Sequence, residues 1–128
     1  MGKSRAGGIP GTRGATPAPS FSGNLPSLES EFPMTPGGWF SEKSSKKNSD
    51  ARIIKSQDPL ATAEHFFDLA SNGGKMHVDT PKIKIVKFYD GSRVGFRPVS
   101  TSDGSPAVEI WLESPSRCKD QKIHFERN

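Results

Sequence analysis

Four short runs near the C-terminus, at 83–89, 93–99, 107–112 and 122–126, alternate apolar and polar residues. A period of two sends successive side chains to opposite faces of a sheet. Val94 and Phe96, Val108 and Ile110, and Ile123 and Phe125 therefore share a face that can be buried. Arg93, Arg97, Glu109, Trp111, Lys122, His124 and Glu126 share the other face, which packing does not require.

The segments between these runs specify how they connect. Asp90-Gly91-Ser92 separates the first two runs, and Asp-Gly between alternating segments is a strong hairpin signal. Ahead of them, Ser56, Gln57 and Asp58 precede Pro59, which supplies a side-chain N-cap and a proline at the first helical position. Leu60, Ala63, Phe66, Phe67 and Ala70 then recur at helical spacing until Asn72-Gly73-Gly74 stops the helix. The expected fold is α+β, with one N-terminal helix packed on a small, mainly antiparallel, four-stranded twisted sheet spanning residues 56–128.

Residues 1–55 read differently. Residues 1–50 hold eight of the thirteen glycines, six of the eleven prolines and nine serines, and the whole chain is only 31% hydrophobic. Such a stretch buries too little apolar surface to offset backbone ordering, so 1–55 is expected to be a disordered tail or linker. Its apolar islands, Phe21, Leu25, Leu28, Phe32, Trp39 and Phe40, read as linker residues or as a docking segment for a partner. Residues 1–56 carry eight basic and four acidic side chains, whereas 57–128 carry ten of each. The net charge of +4 therefore belongs to the tail, and any affinity of the folded part for nucleic acid must come from local clustering. A single cysteine, Cys118, excludes an internal disulfide and a multi-cysteine zinc site, and reads as an inert loop thiol. No secretory signal or run of membrane-spanning length is read from the sequence.

Arg97, Lys122 and His124 on one spare face match the needs of RNA cleavage without a metal. A base must take the 2′-hydroxyl proton, an acid must protonate the departing 5′-oxygen, and cations must stabilise the phosphorane. Histidine titrates near neutrality, and the arginine fork matches two phosphate oxygens. His65, at the border of the helical apolar stripe, reads either as a second acid–base residue or as a hydrogen-bonded structural histidine. His77 reads as solvent-facing. Tyr89 and Trp111 are the aromatics able to stack on bases.

Several segments occur here in one order: His65-Phe66-Phe67-Asp68-Leu69 with Gly73-Gly74-Lys75, then Asp90-Gly91-Ser92 and Arg97, then residues 100–108, and finally Gln121-Lys122-Ile123-His124-Phe125. Over residues 60–126 this resembles the C-terminal toxin domains of bacterial polymorphic toxins of the contact-dependent type, and in particular those of the barnase/EndoU/RelE-like ribonuclease fold. The resemblance implies an antibacterial toxin ribonuclease delivered into the cytoplasm of a target bacterium. It would cut RNA, tRNA being favoured, by metal-independent transesterification through the 2′-hydroxyl. A cognate immunity protein would block it, the toxin being a monomer or a heterodimer with that protein. Carried over by position, the catalytic candidates are His65, Arg97, Ser100, Ser102, Lys122 and His124, with Lys75 and Trp111 binding substrate and no metal or cofactor. The alternatives are a non-catalytic nucleic-acid-binding module and a protein-interaction module.

Overall fold

The computed structural model describes residues 19–43, 51–101 and 104–128. A 3-10 turn at Ser22–Asn24 leads into helix α1 (Leu25–Glu31), followed by strands β1 (Glu42–Lys43) and β2 (Arg52–Ser56) and helix α2 (Pro59–Ser71). Strands β3 (Lys75–Asp79), β4 (Lys84–Lys87), β5 (Arg93–Arg97), β6 (Ala107–Trp111) and β7 (Gln121–Arg127) complete the chain. All seven strands form one sheet in the order β1-β2-β7-β6-β5-β4-β3. The pairs are antiparallel except β2–β7, which is parallel.

Local chemistry builds α2 where the sequence places it. The Asp58 carboxylate accepts the Ala61 amide proton at 3.2 Å, and Pro59 occupies the first turn. After the helix, Gly73 takes φ +86°, a left-handed conformation that other residues enter with strain. The inner stripe of α2, Ala63, Phe66, Phe67 and Ala70, is fully buried. Phe66 meets Phe125 at 5.7 Å between ring centroids, and Phe67 stacks on Phe96 at 5.6 Å. The apolar face of the sheet is completed by Val94, Val108, Ile110 and Ile123, all buried as the alternation requires. At the β4–β5 turn, Phe88 N donates to Ser92 O at 2.8 Å, and Gly91 adopts φ +95°.

The expectation of one helix on a four-stranded, mainly antiparallel sheet is overturned. Among the described residues the sheet is mixed, has three more strands, and carries two α-helices. The sequence Arg52-Ile53-Ile54-Lys55-Ser56 is too short and too close to a Ser/Lys-rich stretch to stand out. It becomes a strand because it pairs alongside β7, Arg52 opposite Ile123 through Ser56 opposite Arg127. β3 is an edge strand that buries almost nothing, so its sequence carries little alternation.

The boundary at residue 55 also moves. Phe21, Leu25, Leu28 and Phe40 lie in the same buried cluster as α2 and the sheet, with Phe32 and Met34 packed against it. Phe40 meets Phe66 edge-on at 5.1 Å. The side chain of Gln121 ties this segment down, accepting from Phe40 N at 2.8 Å and donating to Gly38 O at 2.9 Å. Asn24 donates to Ala70 O and Asn72 O, both at 2.9 Å, joining α1 to the end of α2. The glycines and prolines that lower the average hydrophobicity here fall between the anchoring residues or, as with Pro26, in a first helical turn where proline is tolerated. Residues 1–18 and 44–50, the rest of the expected tail, lie outside the described residues. Among the described residues, no helix is long and apolar enough to cross a membrane.

Candidate nucleic-acid interface on the open sheet face

Residues paired across strands point to the same side, so the face turned away from α2 can be read row by row. The row nearest the β4–β5 turn holds Lys75, Lys87, Arg93 and Trp111. The middle row holds Val78, Ile85, Gly95, Glu109 and Lys122. The far row holds Arg97, Ala107, His124 and Ile53. The structure therefore brings Arg97, Lys122, His124, Lys75 and Trp111 onto one face.

The indole of Trp111 lies across the centre of this face. A methyl group added to Gly95 would stand 3.0 Å from the Trp111 ring, so the absence of a side chain at residue 95 makes the floor on which the ring rests. The Arg93 guanidinium sits 5.1 Å from the centre of the same ring, a cation–π contact. Lys75, Lys87, Arg97 and Lys122 have no ion-pair partner among the described residues. Glu109 lies opposite Lys122 in register without closing to ion-pair distance, and it does not pair with Arg97 either. Cations left without carboxylate partners on one face are available to an anionic ligand.

His124 points to the open face, as its alternation requires, yet it is only 1% exposed. Strand β2 lies on one side of it, with Ile53 as its direct neighbour. The loop between β5 and β6 contributes Ser105, whose Oγ lies 2.8 Å from His124 Nδ1. Backbone bonds draw this loop closed: Ser100 N donates to Ser105 O at 2.9 Å, and Gly104 N to Ser100 O at 3.1 Å. Ser100 is itself buried, and its backbone shapes the loop. Ser102 lies outside the described residues.

His65 does not join this site. It sits on α2, on the other side of the sheet, half exposed, with Nε2 2.7 Å from Glu31 Oε1 of α1 and the Phe32 ring 6.2 Å away. The expectation that His65 and His124 share acid–base work on one phosphate is corrected accordingly: the sheet separates them. A helical border residue can face either the sheet edge or a neighbouring helix, and α1, read as tail, was the neighbour that settled it. Three contributors carry no distinguishing signal in the sequence. Ser105 belongs to a loop, where alternation has no meaning, although it falls within the segment carrying the resemblance. Lys87 belongs to an alternating run, where an outward lysine carries no signal beyond its face, and the same alternation puts Arg93 on the open face without marking a role.

Cys118 is buried beside Gln121, and burial is the main cause that pushes its thiol up to about 12. It is therefore a poor nucleophile. Among the described residues, no group of three or more His, Cys, Asp or Glu is arranged to hold a metal ion. Comparison with protein-family models, curated proteins and solved structures finds no match for this chain.

Proposed function

We propose that the open sheet face binds RNA and cleaves it by metal-independent transesterification. The observation that supports this reading most is the far row: Arg97, without an ion-pair partner among the described residues, and His124 stand on either side of Ala107, in register. Two strand spacings separate them, about 10 Å between Cα atoms, and a small, buried alanine lies between. In this reading the scissile phosphate rests against Arg97, beside the covered Ser105–His124 pair.

In this reading the 2′-hydroxyl proton passes to the Ser105–His124 pair as the 2′-oxygen attacks phosphorus. Arg97 holds two non-bridging oxygens of the phosphorane through its planar fork. The P–O5′ bond breaks, and the ammonium of Lys122, two residues from His124 on the same face, gives its proton to the leaving oxygen. The products are a 2′,3′-cyclic phosphate and a 5′-hydroxyl. Together with the resemblance over residues 60–126, this makes the protein an antibacterial toxin ribonuclease, with tRNA as the favoured substrate and an immunity protein that covers this face.

One observation favours a second reading, a non-catalytic RNA-binding module: the near-complete burial of His124 keeps its ring from solvent. Incubation of the protein with total RNA in the presence of a chelator separates the two. Discrete fragments ending in cyclic phosphate, lost in Arg97→Ala, support the nuclease. Salt-sensitive binding to RNA that stays intact supports the binding module. Induction in a bacterium adds a further readout, since growth arrest is expected of the toxin.

A further inference from the structure

Two surface clefts of about 730 and 300 Å³ lie where α2 gives way to β3 and where β4 turns into β5. His77 and Lys87 line both, so the clefts meet there as one trough. Its walls carry Lys75, His77, Lys87 and Arg93, and Tyr89 stands at the rim with 83% of its surface exposed. A tyrosine ring so exposed gains nothing for the fold. Its neighbours Phe88 and Val86 are buried, which turns residue 89 outward at the strand end.

The charge balance favours an anion. Lys75 and Lys87 have no carboxylate partner among the described residues, and Arg93 rests on the Trp111 ring. Two carboxylates line the turn end. Asp90 is turned into its own loop, its oxygens accepting from Ser92 N at 2.9 Å and Ser92 Oγ at 3.2 Å. Glu113 stands against Gly91 and closes the trough at that end. Arg93 and Arg97 are four residues apart on β5, so the Arg93 edge of the trough lies about 13 Å from Arg97, and its Lys75 end lies two strand spacings further out. Trp111 lies between them.

We infer that this trough binds the single-stranded RNA flanking the scissile phosphate, with Lys87 and Arg93 on backbone phosphates and Tyr89 as a stacking platform for a base. The inference rests on the proposed nuclease reading for the position of the cut, but the trough is tested by binding alone. An extended strand running from the far row over Trp111 reaches the trough within a few nucleotides. Aromatic faces take any base, and phosphate contacts carry no sequence, so the trough contributes affinity and register rather than base choice.

The test is fluorescence anisotropy of a labelled, single-stranded oligoribonucleotide with the full chain in chelator, alongside cleavage of total RNA. Lys87→Ala combined with Arg93→Gln should weaken binding at least tenfold and lower the salt slope by about 1.4, roughly 0.7 for each lost phosphate contact on a single strand. Tyr89→Ala should weaken binding about 5- to 150-fold, the worth of one base–aromatic stack. The Arg93→Lys variant keeps a cation over Trp111 and should retain most affinity, which guards against a merely structural effect. Unchanged affinity and salt slope in a protein that still cuts RNA would overturn the trough and leave the nuclease standing. Weakened binding in a protein that cuts nothing would uphold the trough while the nuclease reading fails. Equal loss of binding to a polyglutamate probe, with no preference for RNA, would overturn the trough as an RNA site and make it a docking surface for acidic protein.

Discussion

The two faces of the central sheet obey opposite rules. Under α2 and α1, the inward positions Val94, Phe96, Val108, Ile110, Ile123 and Phe125 are apolar and closed off, and the buried amides of Gln121 and Asn24 are hydrogen-bonded. On the other face, Lys75, Lys87, Arg97 and Lys122 have no carboxylate partner among the described residues, an indole lies over a glycine, and a buried histidine meets a loop serine. Packing accounts for the first face completely. It accounts for the second poorly, since unpaired lysines and arginines in a row repel one another and contribute nothing to stability. Polar residues arranged against the interest of the fold are where function is to be sought.

This contrast can be broken most decisively from the buried side. Phe40→Ala removes a ring packed on Phe66 and should cost about 3–5 kcal/mol, read as a lowered midpoint in denaturant. A loss below about 1 kcal/mol would return residues 21–40 to the status of a tail. From the open side, Arg97→Ala should slow RNA cleavage about 100- to 1,000-fold, as removal of a transition-state contact does, while stability moves by no more than about 0.5 kcal/mol. A variant equally unstable and inactive would show that the faces are not separable in this way.

Gly95→Val probes the point where the open face is built. The added side chain collides with Trp111, and overpacking of this kind costs about 1–3 kcal/mol, with the indole displaced and its fluorescence shifted. RNA affinity should fall with it. Asp90→Asn has the smallest effect and touches the turn shared by both faces. The Ser92 amide is the main reason the Asp90 carboxyl sits below its ordinary value, with hydroxyls of Ser114 and Ser92 adding to it. A depressed carboxylate contributes stability that is complete above the ordinary aspartate value near about 4 and is lost as the pH falls through the folded value. The asparagine variant should therefore show a flatter loss of stability with acid below about pH 4, measured by thermal unfolding across that range.

Legibility followed the strength of the local signal. The helix at Pro59–Ser71 and the runs that became β4 to β7 were readable because caps, turn glycines and alternation act within a few residues of one another. The open-face positions of Arg97, Lys122 and Trp111 follow from the same period. His124 was oriented correctly, but its burial depends on β2, whose Ile53 lies 71 residues earlier in the chain, and on a loop with no period at all. His65 was readable only as far as its stripe border, because the partner that claims it, Glu31, lies in a segment whose composition suggests no fold.

Alternation and capping alone determined the α2 helix, four neighbouring strands and which side chains point away from the core. Tertiary structure decided the rest: that β2 lies parallel to β7, that residues 21–40 belong to the core, and that the two histidines once paired in expectation stand on opposite sides of the sheet. The physical reason is range. Caps and periods are set by neighbours in the chain, whereas burial of Phe21 or Phe40 gains its free energy only from surfaces far away in sequence, which no local pattern records.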